Sequence, residues 1–137
     1  MKVVLDEDAY FPKRAHDTDA GYDLRTPKRL VLSPHEIKTV STGVHIQLPK
    51  GKCGIVCSKS GLLRDYAILT TGLVDEGYTG AIGVTLINLG GNYITFERGE
   101  KIAQFYITNY YAYDLEVVEE LDDTDRGERG FGSTGRT

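Results

Sequence analysis

The chain consists of short runs in which apolar and polar residues alternate, and glycine or proline interrupts nearly every run. Val44 to Leu48 alternates before the turn residues 49–51, and Ile82 to Leu86 alternates before a pair of glycines. Alternation puts every second side chain on one face, which is the pattern of a half-buried strand. The only helix candidate is one or two turns around Leu62 to Tyr66. The sequence therefore predicts an all-β sandwich or jelly roll of short strands.

The 137 residues are predicted to form one β core and a C-terminal arm. Further strand candidates are Val3 to Leu5, Leu30 to Leu32, Ile94 to Phe96, Ile102 to Ile107 and Leu115 to Val118. The acidic run EELDDTDRG begins at Glu119, and such a run usually forms a solvated linker. We therefore place the core at residues 1–121 and a mobile arm at residues 122–137.

Composition and charge argue against several classes of protein. The formal charge of −4 gives the chain no electrostatic reason to bind nucleic acid, and no run is long and apolar enough to span a membrane. The N-terminus turns acidic too early for a secretory signal. Cys53 and Cys57 would share one face of a strand, which suits neither a zinc site nor a disulfide. We expect buried, reduced thiols in a cytoplasmic protein.

Two stretches carry groups that could bind a metal and phosphates. In DAGYDLRT, Asp23 stands where a strand begins, and its carboxylate could hold the waters of a magnesium ion, although a turn aspartate would look the same. In SKSGLL, Lys59, Ser60 and Gly61 precede the helix candidate. A cation, a hydroxyl and a free amide at a helix start suit a phosphate. The alternative is that Ser60 only caps the helix.

A third stretch, GLVDEGYTG, has the glycines of a hairpin with Asp75 and Tyr78 inside it. The backbone of a hairpin could pair with the edge of uracil, and cytosine would then leave polar groups unpaired, at about 1–3 kcal/mol each. A tyrosine ring against the sugar could exclude a 2′-hydroxyl. Asp75 could orient and deprotonate a water. A purely structural hairpin would need only the glycines.

The last two stretches lie near the C-terminus. RGEKIAQFYI carries Gln104 within an apolar strand, so its amide is either satisfied in the core or faces a wet functional surface. RGERGFGSTGRT, residues 126–137, combines glycines, hydroxyls and a single ring, Phe131. This tail is either disordered, as termini often are, or it orders over a ligand.

Taken in order, these five stretches resemble the five motifs of the homotrimeric dUTP pyrophosphatases (dUTPases). The resemblance runs from about Ala20 to Gly135, which is nearly the whole chain. It implies a jelly-roll-like β barrel that assembles as a homotrimer, with three active sites built at subunit interfaces. One subunit would contribute the first, second and fourth motifs, another the uracil hairpin, and the third its C-terminal arm as a lid.

The resemblance also implies roles for individual residues. Asp75 would hold the attacking water, Tyr78 would stack beneath the deoxyribose, and Phe131 would cover the uracil. Asp23 and Gln104 would bind, through water, a Mg²⁺ ion chelated by the triphosphate, and Asp23 is counted with Asp75 among the catalytic residues. The residues that would contact substrate are Lys59, Ser60, Gly61, Gly72, Leu73, Val74, Tyr78, Ile82, Gly83, Gln104, Arg126, Phe131, Gly132, Ser133 and Thr134.

The implied reaction is attack of water on the α-phosphorus of dUTP, which releases dUMP and pyrophosphate. This activity limits uracil incorporation into DNA and supplies dUMP for dTMP synthesis. Two positions depart from the family pattern. Lys59 stands where arginine is usual and lacks its bidentate geometry. Leu69 stands where an asparagine commonly helps to recognise uracil, and leucine cannot form that hydrogen bond. Three explanations stay open: the hairpin backbone alone recognises uracil, the local alignment shifts so that Thr70 or Thr71 takes the asparagine's place, or selectivity for uracil is relaxed.

Two other functions remain open from the sequence. A dCTP deaminase would share the fold, but its catalytic glutamate would fall at Thr85 in VTLIN. A catalytically idle or dual-role β trimer would act through protein contacts, and the sequence does not show whether a regulatory protein binds. A merely structural barrel would need none of the following residues, and their presence together favours the enzyme: Asp23, Asp75, Tyr78, Gln104 and Phe131.

Overall fold

The structure, a computed structural model, describes residues 1–130, and its regular secondary structure consists almost entirely of antiparallel strands. The strands are β1 (Lys2–Leu5), β2 (Tyr22–Arg25), β3 (Leu30–Leu32), β4 (Ile37–Gln47), β5 (Lys52–Cys57), β6 (Ile68–Val74), β7 (Ala81–Asn88), β8 (Ile94–Phe96) and β9 (Lys101–Asn109). One short helix, α1 (Ser60–Tyr66), lies between β5 and β6. The prediction of an all-β fold with one short helix near residues 62–66 is confirmed.

Seven strands form one curled sheet in the order β1-β4-β7-β6-β5-β9-β2, and β3 pairs with β8 beside it. Strict alternation in the central strands places one set of side chains in the core. In β7, for example, Ile82, Val84 and Leu86 are buried while the residues between them are more exposed. The apolar core is continuous across the strands and contains Leu24, Ile68, Ile102 and Phe105 among others. The sheet therefore presents one apolar inner face and one outer face.

The predicted strand from Leu115 to Val118 is wrong. Within residues 1–130 the last strand ends at Asn109, and Leu115 and Val117 are 97% and 100% exposed. Leu115 and Val117 alternate with acidic residues, which is a strand pattern, but the run finds no pairing partner among residues 1–130. The boundary between core and arm at residue 121 stays a prediction.

The two cysteines lie on β5, and both are free thiols. Cys53 is buried as expected, whereas Cys57 is only half-buried because it lies at the end of the strand, beside the candidate site described below. Cytoplasmic location stays a prediction. Within residues 1–130, no helix has the length and apolar character that crossing a membrane requires.

A glycine in β5 lets an aromatic ring lie against the sheet. A Cβ atom at Gly54 would lie 2.1 Å from Cε2 of Phe105, a ring that is 1% exposed. Because Phe105 is on the adjacent strand β9, which pairs with β5, the ring cannot move away without disturbing its own strand. Position 54 therefore excludes every side chain.

We expect Gly54→Ala to destabilise the fold by about 3 kcal/mol or more, because overpacking a rigid core forces strands or rings to shift. The matched control is Gly91→Ala, where a Cβ would have no neighbour within 4 Å. The control should stay within about 0.5 kcal/mol of the parent chain in urea unfolding. Equal stabilities of the two variants would contradict this packing.

Candidate active site

Asp23 is the centre of a polar cluster on the outer face of the sheet. It pairs with Gln104 on β9, and Gln104 pairs in turn with Cys57 on β5. Asp23 is only 8% exposed, yet its two oxygens meet two ammonium groups: Lys59 Nζ is 2.5 Å from Oδ1 and Lys101 Nζ is 2.6 Å from Oδ2. The structure thus brings Asp23, Gln104 and Lys59 together, as the sequence predicted.

Lys101 is a member of this cluster that sequence reasoning missed. It lies in the same RGEKIAQ stretch as Gln104, three residues earlier. Strict alternation along β9 would have turned its side chain towards the core. The sequence did carry a signal. Two apolar residues in succession, Ile102 and Ala103, separate Lys101 from Gln104, whereas regular alternation allows only one, and such an extra residue indicates a β-bulge.

The ionisation of Asp23 depends on these partners. Burial raises the pKa of the Asp23 carboxyl, but hydrogen bonds and charge attraction from Lys101 and Lys59 together outweigh burial and bring the pKa below its usual range. Asp23 is therefore an anion at neutral pH. A carboxylate rather than a carboxylic acid is what a metal-bound water requires as a hydrogen-bond acceptor.

The Gln104 side chain faces a wet surface, one of the two alternatives that the sequence left open. Its Nε2 donates to the carbonyl of Ser58 at 3.0 Å. Its Oε1 would lie 2.9 Å from a Cβ at Gly21, so a side chain there would require the Gln104 amide to move. Gln104, Asp23 and Lys59 line a cleft of about 250 Å³ together with the loop before β2.

The start of α1 forms a second cleft beside the first. Lys59 is the N-cap with extended backbone, and no side chain caps the helix, so the alternative that Ser60 serves as the cap is wrong. Ser60 is instead the first helical residue. Lys59, Ser60 and Gly61 line a cleft of about 300 Å³ with Lys101 and Gln104. The predicted phosphate-binding residues therefore lie directly beside Asp23.

The donor set at Asp23 fits a magnesium ion held through water. Among residues 1–130, no group of three or more His, Cys, Asp or Glu side chains could hold a metal by itself. One carboxylate and one amide suit Mg²⁺, which takes oxygen ligands and keeps several waters. The remaining ligands would have to come from the phosphates of a bound substrate.

The hairpin between β6 and β7 carries Asp75 and Tyr78, and both side chains are exposed. The Tyr78 amide donates to the Asp75 carbonyl at 3.0 Å, and the Tyr78 hydroxyl donates to the Ala81 carbonyl at 3.0 Å. These bonds fix the ring across the turn, where its face is open to a ligand. Among the strand residues predicted to contact substrate, Gly72, Leu73 and Gly83 are at least partly exposed, whereas the side chains of Val74 and Ile82 are buried. Val74 and Ile82 can therefore offer only backbone groups.

The structure does not bring Asp75 and Asp23 together within one chain. Val74 pairs with Gly54, so Asp75 is level with Cys53, whereas Asp23 is level with Cys57. Four residues along β5 and three spacings between strands separate the two carboxylates by about 20 Å along the sheet. Even with a metal and its waters between Asp23 and the phosphates, the two carboxylates of one chain are too far apart to serve one site. The predicted site does not close within one chain.

The remaining predicted contacts lie in the C-terminal segment. Arg126 is exposed, and its Nε donates to the carbonyl of Arg129 within the same turn. Phe131, Gly132, Ser133 and Thr134 lie outside the described residues. Leu69 pairs with Ile87 on β7, and the adjacent Thr70 is buried with its hydroxyl bonded to the carbonyl of Thr85. Thr71 is the exposed hydroxyl of this strand.

Glu76, next to Asp75, holds the hairpin against the body of the chain. Its Oε2 accepts the Gly51 amide at 2.6 Å and the Tyr110 hydroxyl at 2.8 Å. The Gly51 amide, with help from Tyr110, lowers the pKa of Glu76, and the same contact raises the pKa of Tyr110. Sequence reasoning missed this contact because Glu76 looks like an ordinary surface residue.

His45, to which the sequence gave no role, supports the other side of the hairpin. Its Nδ1 lies 2.9 Å from the carbonyl of Thr79, and its Nε2 lies 3.3 Å from Oδ1 of Asp6. The turn that carries Asp75 and Tyr78 is thus tied down from two directions.

Comparison with known proteins agrees with the five motifs. A family profile described as dUTPase matches residues 7–135. The deoxyuridine 5'-triphosphate nucleotidohydrolase of Clostridium novyi (strain NT) is 44% identical over 141 residues, covering 98% of this chain and 99% of that protein. A mutant dUTPase of Staphylococcus bacteriophage 80alpha, solved with dUpNHpp, gives a TM-score of 0.91 at 31% identity, over 98% of this chain and 97% of that one.

A third relative bears on the metal. A mutant dUTPase of phage phi11 of S. aureus, whose structure reveals the coordination of a structural Mg(II) ion, gives a TM-score of 0.80 at 29% identity. It covers 87% of this chain and 96% of that one. Since the family profile and relatives above 40% identity span nearly the whole sequence, the chain belongs to the dUTPase family.

The Glu76 contact generates a prediction about pH. Because the folded pKa of Glu76 is lowered, its stabilisation of the hairpin is complete above the ordinary value of 4.5 and is lost as the pH falls through the folded value. The NMR shift of the Gly51 amide should therefore titrate with a midpoint below 4.5. The titration should be absent in Glu76→Gln. A midpoint at or above the ordinary value would contradict the contact.

Proposed function

We propose that the chain hydrolyses dUTP to dUMP and pyrophosphate with Mg²⁺. The observation that carries this proposal is the ionised Asp23 beside Gln104 and the Lys59–Gly61 helix start, in a chain of the dUTPase family. A carboxylate and an amide for a hydrated metal next to cations and amides for phosphates suit a nucleoside triphosphate.

In the proposed mechanism, the chain positions the reactants and neutralises charge. Asp75 orients a water and accepts its proton, while Lys59, Ser60 and Gly61 bind phosphate oxygens. Mg²⁺, when bound through water to Asp23 and Gln104, would supply charge neutralisation on the triphosphate. Tyr78 would pack against the deoxyribose, and the hairpin backbone around Gly72–Val74 and Ile82–Gly83 would contact uracil.

The proposed active unit is a homotrimer with shared sites. The separation of about 20 Å between Asp75 and Asp23 along one sheet supports this, since a second copy must supply one of the two. Apolar residues on the outer face of the sheet offer a contact surface: Ile37 and Leu73 are 66% and 63% exposed. Ile55 pairs with Leu73 on one side and with Tyr106 on the other. The alternating exposed run from Tyr111 to Val117 suits pairing with another copy.

The C-terminal arm, residues 122–137, is proposed to cover the site of a neighbouring copy. Arg126, Gly132, Ser133 and Thr134 would bind the γ-phosphate, and Phe131 would lie over the uracil. Exclusion of bulk water by such a cover strengthens every charge interaction beneath it. The acidic run that begins at Glu119 and continues into the start of the arm favours an extended, solvated connection.

The deaminase alternative is not favoured by the structure. Thr85 stands where a deaminase would need its glutamate, and its hydroxyl lies 2.9 Å from the Thr39 hydroxyl on β4. No carboxylate is available from that position. The idle trimer is likewise not favoured, because a purely structural hairpin would need neither the exposed carboxylate of Asp75 nor the open ring face of Tyr78.

The first test is pyrophosphate release with Mg²⁺ from dUTP, UTP, dCTP and dTTP side by side. We expect dUTP to be preferred over dCTP by about 10- to 100-fold, since a mismatched base leaves buried polar groups unpaired. UTP should be excluded by the Tyr78 ring. Equal rates on dUTP and dCTP would show that Leu69 relaxes base selectivity, and ammonia release from dCTP would establish the deaminase instead.

The shared site is tested by mixing two inactive variants. Asp23→Asn and Asp75→Asn should each form normal assemblies and lose hydrolysis. When the two are refolded together in equal amounts, about one quarter of the sites should combine intact Asp23 from one chain with intact Asp75 from another. Pyrophosphate release should recover to about that fraction of the parent rate. Mixtures that stay inactive would show that a single chain forms each site.

A further inference from the structure

The side chain of Lys101 reaches the candidate site because of a bulge in β9. Asp23 pairs with Gln104 and Leu24 with Ala103, but Arg25 pairs with Lys101, so Ile102 is an extra residue. Ile102 and Ala103 are consecutive and both fully buried. Under strict alternation Lys101 would face the core; the bulge turns it to the outer face with Asp23 and Gln104. Bulges commonly re-aim a side chain beside an active site.

The cluster around Asp23 carries more positive charge than the carboxylate needs. Lys59 and Lys101 each contact one oxygen of Asp23, so two cations face one anion and a net charge of about +1 remains. Asp23 is nearly buried, whereas the Lys101 side chain is 36% exposed, so the second ammonium remains open to a further anion from the solvent side.

Lys101 also has donors left for a ligand. An ammonium group has three N–H donors, and the contact with Asp23 uses one of them. The Lys101 side chain is 36% exposed and lines the same cleft of about 300 Å³ as Lys59, Ser60 and Gly61. Its ammonium therefore borders the space in which phosphates would lie.

We propose that Lys101 is a second phosphate-binding residue of this site, which binds the triphosphate beside Lys59 while orienting Asp23. This inference rests on the proposed function and adds a second lysine to its phosphate-binding residues. Lys59 is a point charge that lacks the fork of an arginine. Two lysines that approach from different elements, α1 and β9, supply the two directions of approach that one arginine would provide.

The test measures binding without hydrolysis. Dissociation constants of dUpNHpp and dUMP are determined by calorimetry for the parent chain, Lys101→Met and Lys101→Arg. Loss of one charge-assisted hydrogen bond should weaken dUpNHpp by about ten-fold or more in Lys101→Met. Binding of dUMP, which lacks the β- and γ-phosphates, should change by less than about three-fold. Lys101→Arg should retain most of the dUpNHpp affinity.

The matched control is Lys2→Met, an exposed lysine on β1 at the opposite edge of the sheet from β2. It should bind both nucleotides like the parent chain. Urea unfolding of each variant separates folding from binding, and Lys101→Gln replaces Lys101→Met if the latter does not fold. Equal weakening of dUpNHpp and dUMP, or of neither, would overturn the role of Lys101.

A final arm distinguishes this inference from the proposed function. If the parent chain binds neither nucleotide, the proposed function fails, and inorganic tripolyphosphate with Mg²⁺ becomes the probe. Loss of tripolyphosphate binding in Lys101→Met but not in Lys2→Met would still support Lys101 as a phosphate ligand. Binding that is equal in all variants, or absent from the parent chain, would overturn it.

Discussion

A nearly buried carboxylate must be paired with cations, and this requirement organises the candidate active site. Burial alone would push Asp23 towards its neutral form, and an unpaired anion there would destabilise the fold. The two ammonium groups come from different elements, Lys59 from the start of α1 and Lys101 from β9. Satisfying one charge therefore fixes three segments of the chain against each other. The groups for metal and phosphate converge as a result.

Alternation was sufficient to predict most of the strands, because a sheet with one buried face imposes a period of two wherever it is regular. It failed in two places for physical reasons. The run from Leu115 to Val118 is rich in strand-forming residues but has no pairing partner among residues 1–130. The bulge at Ile102 was not predicted: the consecutive apolar pair Ile102-Ala103 was its sequence signal, but the pairing register is what identifies the extra residue.

The site residues were predictable by motif, but their arrangement was not. Asp23, Lys59, Ser60, Gly61 and Gln104 lie together because β2, β9 and β5 are adjacent. Asp75 follows β6, which also pairs with β5. It lies beside the beginning of β5, however, whereas the Asp23 cluster lies beside the end of β5. The order of the motifs along the sequence does not indicate at which end of the sheet each residue lies. The antiparallel register decides it, and register depends on the whole core.

The Glu76 carboxylate joins two parts of the chain that have different destinations in the proposed trimer. Glu76 belongs to the turn that carries Asp75, and its carboxylate accepts a hydrogen bond from Tyr110, the first residue after β9, from which the C-terminal segment departs. A displacement of the C-terminal segment would therefore be transmitted through Glu76 to the turn that carries Asp75 in the same chain. In the proposed trimer, each chain would contribute its turn to one active site and its C-terminal arm to another. Movement of the arm at one site would then alter the position of Asp75 at a second site.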